Sequence, residues 1–260
     1  MLSKNKQKVL RQLSSKKHRD ELGLFIAEGP KVVGDLLGAF PCQWVIATSE
    51  WLAVHRDVEA EEVIEVTQHE LEQISLLKTP RDVLAVFRRK GELKDGTTAT
   101  GSAAVSVART QLTIALDGVQ DPGNMGTILR IADWFGIEHV FCSPDTADAF
   151  SPKTVQATMG AIARVQVHYL PLPELLAACG SEVPVYGTFL DGTDLYAQEL
   201  TSHGIIVMGN EGNGISEEVA RSINRRLFIP SFPAERETSE SLNVAIATAI
   251  TCAEFRRRSR

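Results

Sequence analysis

The chain has 260 residues, is 43% hydrophobic and carries a net charge of −6, which suits one large domain or a small domain followed by a larger one. No run of about 18 apolar residues is present to span a bilayer, and the N-terminal MLSKNKQKVLRQL lacks the apolar core of a signal peptide, so a cytoplasmic protein is expected. Cys42, Cys142, Cys179 and Cys252 stand far apart with no CxxC pair, which argues against a zinc site or a disulfide framework and leads us to expect no metal and buried, reduced thiols.

An acidic chain is a poor binder of phosphate polymers, because neutralising phosphates supplies most of the affinity. The distribution of charge reverses that expectation. Lys4, Lys6, Lys8, Arg11, Lys16, Lys17 and Arg19 face only Asp20 within the first twenty residues, and Arg256, Arg257, Arg258 and Arg260 close the chain. Acidic residues gather elsewhere, as at Glu59, Glu61, Glu62 and Glu65. Either basic end can meet a phosphate backbone, although such runs more often only keep a helix face wet.

In chain order, Val9, Leu10 and Leu13 recur at helical spacing between lysines and predict an amphipathic helix over 4–13. A strand is expected at 25–29, and Pro30 opens a helix whose buried face is Val32, Val33, Leu36 and Leu37. Strands follow at Trp44 to Ala47 and Val63 to Val66. Thr67 with Glu70 three residues later forms a capping box before Leu71, Ile74 and Leu77, and a strand over Val83 to Phe87 completes a small α/β unit of residues 1–90. Residues 91–110, rich in Gly, Ser, Thr and Ala, read as a linker.

The second domain, 111–260, starts with a strand at Thr113 to Leu116. Pro122 and Gly123 form a turn, Asn124 is the expected N-cap, and Ile128, Ile131, Ala132 and Phe135 make one apolar stripe ending at Gly136. With a strand at His139 to Cys142 this is a βαβ unit, and a parallel sheet follows. Ser151 and Pro152 open another helix. Strands are expected at Arg164 to Leu170, at Val185 to Leu190 ending in the turn Asp191-Gly192, at Ile205 to Met208 and at Leu227 to Ile229. Helices are expected at Glu174 to Ala178, around Ile215, Val219 and Ile223, and from Leu242 to Phe255 with small inward residues Ala245, Ala249 and Ala253.

The glycine-rich run after Met208, GNEGNG, permits positive φ and close backbone approach while exposing Asn210 and Glu211. By itself such a loop is as often a tight turn as a ligand site. Three ordered blocks make it specific: Asn124-x-Gly126-x-x-x-Arg130, then Met208 to Gly214, then Ile229-Pro230 followed by Ser241-Leu242-Asn243-Val244-Ala245. Together they resemble the SpoU (TrmH-type) branch of the SPOUT RNA methyltransferases over residues 112–258. The first unit, with FIAEGPKVV, is similar to the ribosomal-protein-like RNA-binding domain found ahead of that catalytic domain.

The resemblance implies a parallel-sheet α/β domain with a trefoil knot, an exception to the usual unknotted chain, and a homodimer that transfers a methyl group from S-adenosylmethionine to a ribose 2′-hydroxyl. It implies catalytic roles for Arg130, Asn124, Glu211, Ser241 and Asn243. It implies a cofactor site of Thr188, Leu190, Met208, Gly209, Asn210, Gly214, Ile229, Ser241 and Leu242. RNA contacts are expected from Lys4, Lys8, Arg11, Lys16, Lys17, Arg19 and Arg130. A guanidinium stays charged near neutral pH, so Arg130 is expected to activate and orient the hydroxyl rather than act as a base. The separate RNA-binding unit favours ribosomal over transfer RNA. The charged loop 231–240 is longer than is usual in this branch. A nucleotide-binding oxidoreductase fits poorly, since no GxGxxG follows Leu116; an RNA-binding relative without activity is the remaining alternative.

Overall fold

The computed structural model describes residues 2–89, 101–233 and 241–259. The elements run α1 (Lys4–Gln12), α2 (Lys16–Leu22), β1 (Leu24–Glu28), α3 (Pro30–Leu36), β2 (Cys42–Ala47), α4 (Ser49–Val54), β3 (Glu62–Glu65), α5 (Gln68–Ile74) and β4 (Val83–Arg88). They continue with α6 (Gly101–Thr110), β5 (Leu112–Leu116), α7 (Pro122–Trp134), β6 (His139–Cys142), α8 (Pro152–Thr158), β7 (Gln166–Tyr169), α9 (Leu172–Cys179), β8 (Val185–Asp194), β9 (Gly204–Met208), α10 (Glu217–Ala220), β10 (Arg225–Phe228) and α11 (Val244–Arg258). Two compact units result. One joins residues 2–89 with Asp148–Arg164, and the other joins residues 101–147 with 165–259. A segment from the middle of the chain thus belongs with the first unit. No described helix is long and apolar enough to cross a membrane.

In the first unit the sheet order is β1-β4-β2-β3, antiparallel except for the β2–β3 pair. Leu10 and Leu13 from α1 and its C-cap enter a core with Leu24, Ile26, Ile46, Leu71, Leu84 and Val86, which is why α1 turns its lysines outward. The Thr67–Glu70 capping box forms as expected. Helices α2 and α4 lack a long apolar period and were not anticipated. Arg19 overturns its expected RNA role: it is 2% exposed, its guanidinium donates to Asp148 Oδ2 at 2.6 and 3.0 Å, and its Nη1 donates to the carbonyls of Leu13 and Ser14. A buried arginine must satisfy its donors inside the protein, and this one does so completely enough to close α2 onto the α1–α2 turn.

The second unit holds a six-stranded sheet, order β10-β8-β9-β5-β6-β7, with every pair parallel. Strands β5, β9 and β6 are buried runs, as a sheet covered on both faces requires. The chain steps from β5 through β6 to β7, then crosses to place β8, β9 and β10 on the other side. The C-terminal ends of β5 and β9 therefore border a topological switch point, where open α/β sheets bind ligands.

Several local expectations change. Helix α6 occupies Gly101–Thr110, the second half of the expected linker, and buries Ala104, Val105 and Ala108; residues 90–100 lie outside the described residues. Strand β8 continues through Asp191-Gly192 instead of turning there. Its register against β10 jumps from Gly187 to Thr193 across Arg226 and Leu227, and Gly192 is needed because a Cβ would lie 2.5 Å from the Leu227 backbone. Helix α10 is a single turn. On α11 the buried face is Val244, Ala245, Thr248, Thr251, Cys252 and Phe255. Ala249 is half-buried and Ala253 exposed, so of the expected alanine stripe Ala245 faces inward and the other two do not.

The terminal arginines staple α11 to its own unit. Arg256 donates to the carbonyls of Phe135 (2.7 Å) and Gly136 (2.8 Å), and Arg258 Nη1 donates to that of Gln198 at 2.5 Å. Glu254, 5% exposed, accepts from Arg257 and Arg258. Hydrogen bonding from Arg257 outweighs burial and, with Arg258, lowers its carboxyl to about 2. These side chains serve packing, not the phosphate contact expected of the chain's end. All four cysteines are buried and free, and burial raises the Cys42 and Cys252 thiols to about 12 and Cys179 to about 11.

Candidate active site

Asp121, not Asn124, caps α7: Asp121 Oδ1 accepts from the Asn124 backbone N–H at 2.8 Å, with Pro122 at the first helical position. The correction has a simple cause. Asp121 stands three residues before Asn124, so its carboxylate reaches that N–H and places Asn124 inside the first turn. The Asn124 side chain is thereby available for other contacts.

Those contacts form a directed chain. Asn243 is the N-cap of α11, and its Oδ1 accepts from the backbone N–H groups of Ala245 (2.9 Å) and Ile246 (3.3 Å). Its Nδ2 must then point away, and it donates to Asn124 Oδ1 at 3.0 Å. Asn124 Nδ2 in turn donates to Glu211 Oε1 at 2.8 Å. Two backbone donors at one helix end thus fix both amide orientations and require an acceptor at the far end, which the Glu211 carboxylate provides. Three residues named from separate motif blocks are brought together by this chain.

The loop that carries Glu211 leaves β9 at Met208. Gly209 has no room for a side chain, since a Cβ would stand 2.2 Å from the Gly214 carbonyl carbon and 2.3 Å from the Ile215 nitrogen. Gly214 has φ +69 and exchanges two backbone hydrogen bonds with Asn210, at 2.8 and 2.9 Å. Both glycines close the loop mouth. Thr188 Oγ1 on β8 lies 3.9 Å from Met208 Sδ. Leu190 is 74% and Leu242 48% exposed, while half-buried Ile229 follows β10 and exposed Ser241 precedes α11. Among the described residues the Asn124 chain does not extend to Ser241 or Ile229, and residues 234–240 of the charged loop lie outside the described residues.

Arg130 lies on the exposed stripe of α7 with Thr127 and Trp134, at intervals of three and four residues. Trp134 is 84% exposed. Arg130 makes no hydrogen bond or ion pair with another described residue, in contrast to Arg19, Arg256 and Arg258. Sequence reasoning overlooked Asp117, Gly118, Ser143 and Thr146, which follow β5 and β6 and hold the strand ends together. Polar residues directly after two buried strands were the available signal. Among the described residues no group of three or more His, Cys, Asp or Glu side chains could hold a metal ion.

A parallel sheet with a switch-point crevice, bounded by a glycine loop and a polar chain between two helix N-termini, defines a class of ligand-binding α/β domain. Comparison gives that class a family: residues 111–253 match the SpoU rRNA Methylase family, and residues 4–85 match the MRM3-like substrate binding domain. The chain belongs to the SpoU family of RNA methyltransferases. It is 28% identical to the 23S rRNA (guanosine(2553)-2′-O)-methyltransferase RlmP of Bacillus subtilis over 94% of this chain and 93% of that one. Among solved structures it resembles a Porphyromonas gingivalis protein assigned to the TrmH family of RNA methyltransferases, with TM-score 0.87, 45% identity and 99% of both chains covered. It also resembles an AdoMet-bound rRNA methyltransferase from Sinorhizobium meliloti, with TM-score 0.82 and 30% identity over 99% of this chain and 96% of that one.

Proposed function

We propose that this protein methylates a ribose 2′-hydroxyl in RNA, with S-adenosylmethionine as donor and ribosomal RNA as the substrate class. The observation that carries the reading is the Glu211–Asn124–Asn243 chain, whose members come one from each of the three motif blocks. The RlmP relative, whose name specifies 2′-O transfer to 23S rRNA, supports it across nearly the whole chain.

The residues fit such a donor. Gly209 lets the loop fold back tightly against the end of a buried strand, and the exposed apolar side chains Leu190 and Leu242 suit an adenine or a thioether. When bound, S-adenosylmethionine supplies a methyl group on a positively charged sulfur. Met208, Gly209, Gly214, Ile229, Ser241, Leu242, Thr188 and Leu190 form its site in this reading, through a trefoil-knotted C-terminal chain. Arg130 donates hydrogen bonds to the ribose hydroxyl or its phosphate, orienting the oxygen and stabilising the charge that develops on it. Glu211, held by Asn124, presents a carboxylate of fixed position that can accept a hydrogen bond from a bound ligand.

The first unit binds the RNA. Lys4, Lys8 and Arg11 line an open groove of about 590 Å³ with Gln7, Gln12, Ser15 and His18, a basic surface on an otherwise acidic chain. Lys16 and Lys17 extend it along α2. We further propose a cytoplasmic homodimer, supported by Trp134 and Ile246, 84% and 53% exposed on the mutually packed α7 and α11.

The test is incubation with labelled S-adenosylmethionine and total RNA lacking host modifications. Label recovered in a dinucleotide resistant to alkaline hydrolysis is expected. Absence of transfer, or transfer only to a base, overturns the proposal.

A further inference from the structure

The Gly209–Gly214 loop contains three glycines in six residues, so its own backbone specifies its shape weakly. Side chains supply the constraint. Asn210 Oδ1 accepts from the backbone N–H groups of Gly212 (2.9 Å) and Asn213 (3.1 Å), and its Nδ2 donates to the Gly118 carbonyl at 2.7 Å. Asp117 is 9% exposed, and its Oδ2 accepts from the Ser216 backbone N–H at 2.7 Å.

Two consecutive residues after β5 therefore grip both sides of the loop, Gly118 at its entry and Asp117 just past its exit. They are themselves braced from the segment after β6. The Gly118 N–H donates to Ser143 Oγ (2.9 Å), Ser143 and Thr146 share a 2.9 Å hydrogen bond, and Thr146 Oγ1 donates to the Leu116 carbonyl at 3.0 Å. Thr146 gives its proton to Leu116, so Ser143 donates to Thr146 and remains an acceptor for Gly118. Glu211 sits between the two grips.

We propose that Asp117 and Asn210 are positioning residues for Glu211, setting where its carboxylate meets Asn124, and that Asn210 is not principally a methyl-donor contact. This rests on the proposed reaction and revises the role that sequence resemblance implies for Asn210. The chemistry of the amide supports the revision: its oxygen already takes two N–H donors and one of its two amide hydrogens is engaged, leaving a single hydrogen for any ligand. Asp117 acts on the same loop from the opposite side without belonging to any of the three motif blocks.

The experiment places Asn210→Ala and Asp117→Ala in the wild-type chain and in Glu211→Gln. Hydrogen–deuterium exchange over 209–216 should quicken in both single variants, and the affinity for S-adenosylmethionine measured by calorimetry should be unchanged. Methyl transfer should fall about a hundredfold in the wild-type background, the scale of a small misplacement at a reacting centre. In Glu211→Gln the added loss should be within about twofold, because residues acting through one group are not additive. Equal losses in both backgrounds, unchanged loop exchange, or weakened donor binding with normal turnover would overturn the assignment. Asn210→Asp, which keeps the acceptor for Gly212 and Asn213 but opposes the Gly118 carbonyl, should loosen the loop entry alone and serves if the alanine variants fold poorly. A wild-type chain that methylates no RNA defeats the proposed reaction, whereas loop exchange still judges the two grips.

Discussion

Asn124 and Glu211 are separated by 87 residues and joined by a 2.8 Å hydrogen bond, whose direction is set from a third place, the N-terminus of α11, through Asn243. The carboxylate is the only member of the chain that accepts without donating onward. Replacing the central amide by a carboxylate should therefore be more harmful than its near-identical shape suggests.

In Asn124→Asp, the new carboxylate can still accept from Asn243 but faces Glu211 with like charge. One of the pair is expected to have its pKa raised, and a raised carboxyl contributes stability below its unfolded value that is lost as pH rises through the folded one. Thermal melts should show a loss of about 1 kcal/mol near pH 7 that recovers on acidification, with transfer at pH 7 down about a hundredfold. A variant as active as wild type would remove Asn124 from the site.

Arg130→Ala should abolish transfer and leave S-adenosylmethionine affinity intact, because Arg130 is exposed, bonds to no described residue and in the proposed reaction acts on the RNA ribose. Calorimetry alongside the transfer assay checks this. Loss of donor binding would relocate Arg130 to the cofactor side.

Arg19 and Lys8 lie eleven positions apart on the basic N-terminal stretch and should behave oppositely. Arg19→Ala leaves Asp148 buried without its partner and should cost about 3 kcal/mol in urea unfolding. Lys8→Ala with Arg11→Ala should leave stability unchanged, weaken RNA binding and reduce the salt slope by about one per cation removed. A stability-neutral Arg19→Ala would contradict the buried ion pair.

Glu254 governs the acid side of the C-terminal helix. Its pKa is lowered from 4.5 to about 2 by Arg257 and Arg258, so its stabilising contribution is present above 4.5 and is lost as pH falls toward 2. Glu254→Gln should flatten the pH dependence of stability in that window. Glu28, whose pKa burial raises despite hydrogen bonds from Ser75 and Leu76, has the opposite sign: its contribution is present at acidic pH and lost as pH rises, so relative to wild type Glu28→Gln should gain stability on going from acidic to neutral pH.

Elements set by neighbours within about one turn were readable from the residues. The β6 bounds, the Thr67–Glu70 capping box and the buried Val32, Val33 and Leu36 of α3 depend on alternation, helical spacing and caps, all local properties. The ordered motif blocks likewise pointed to the family. What the sequence left undecided was the choice of partner. Asn124 looks like an N-cap until Asp121 takes that place, and Arg19 looks like its neighbouring lysines until Asp148, 129 residues away, closes on it. The register jump in β8 likewise needs β10 beside it. A side chain's preferences are written in its own chemistry, but which donor meets which acceptor across 80 or more residues is settled only when folding brings the strand ends and helix termini together.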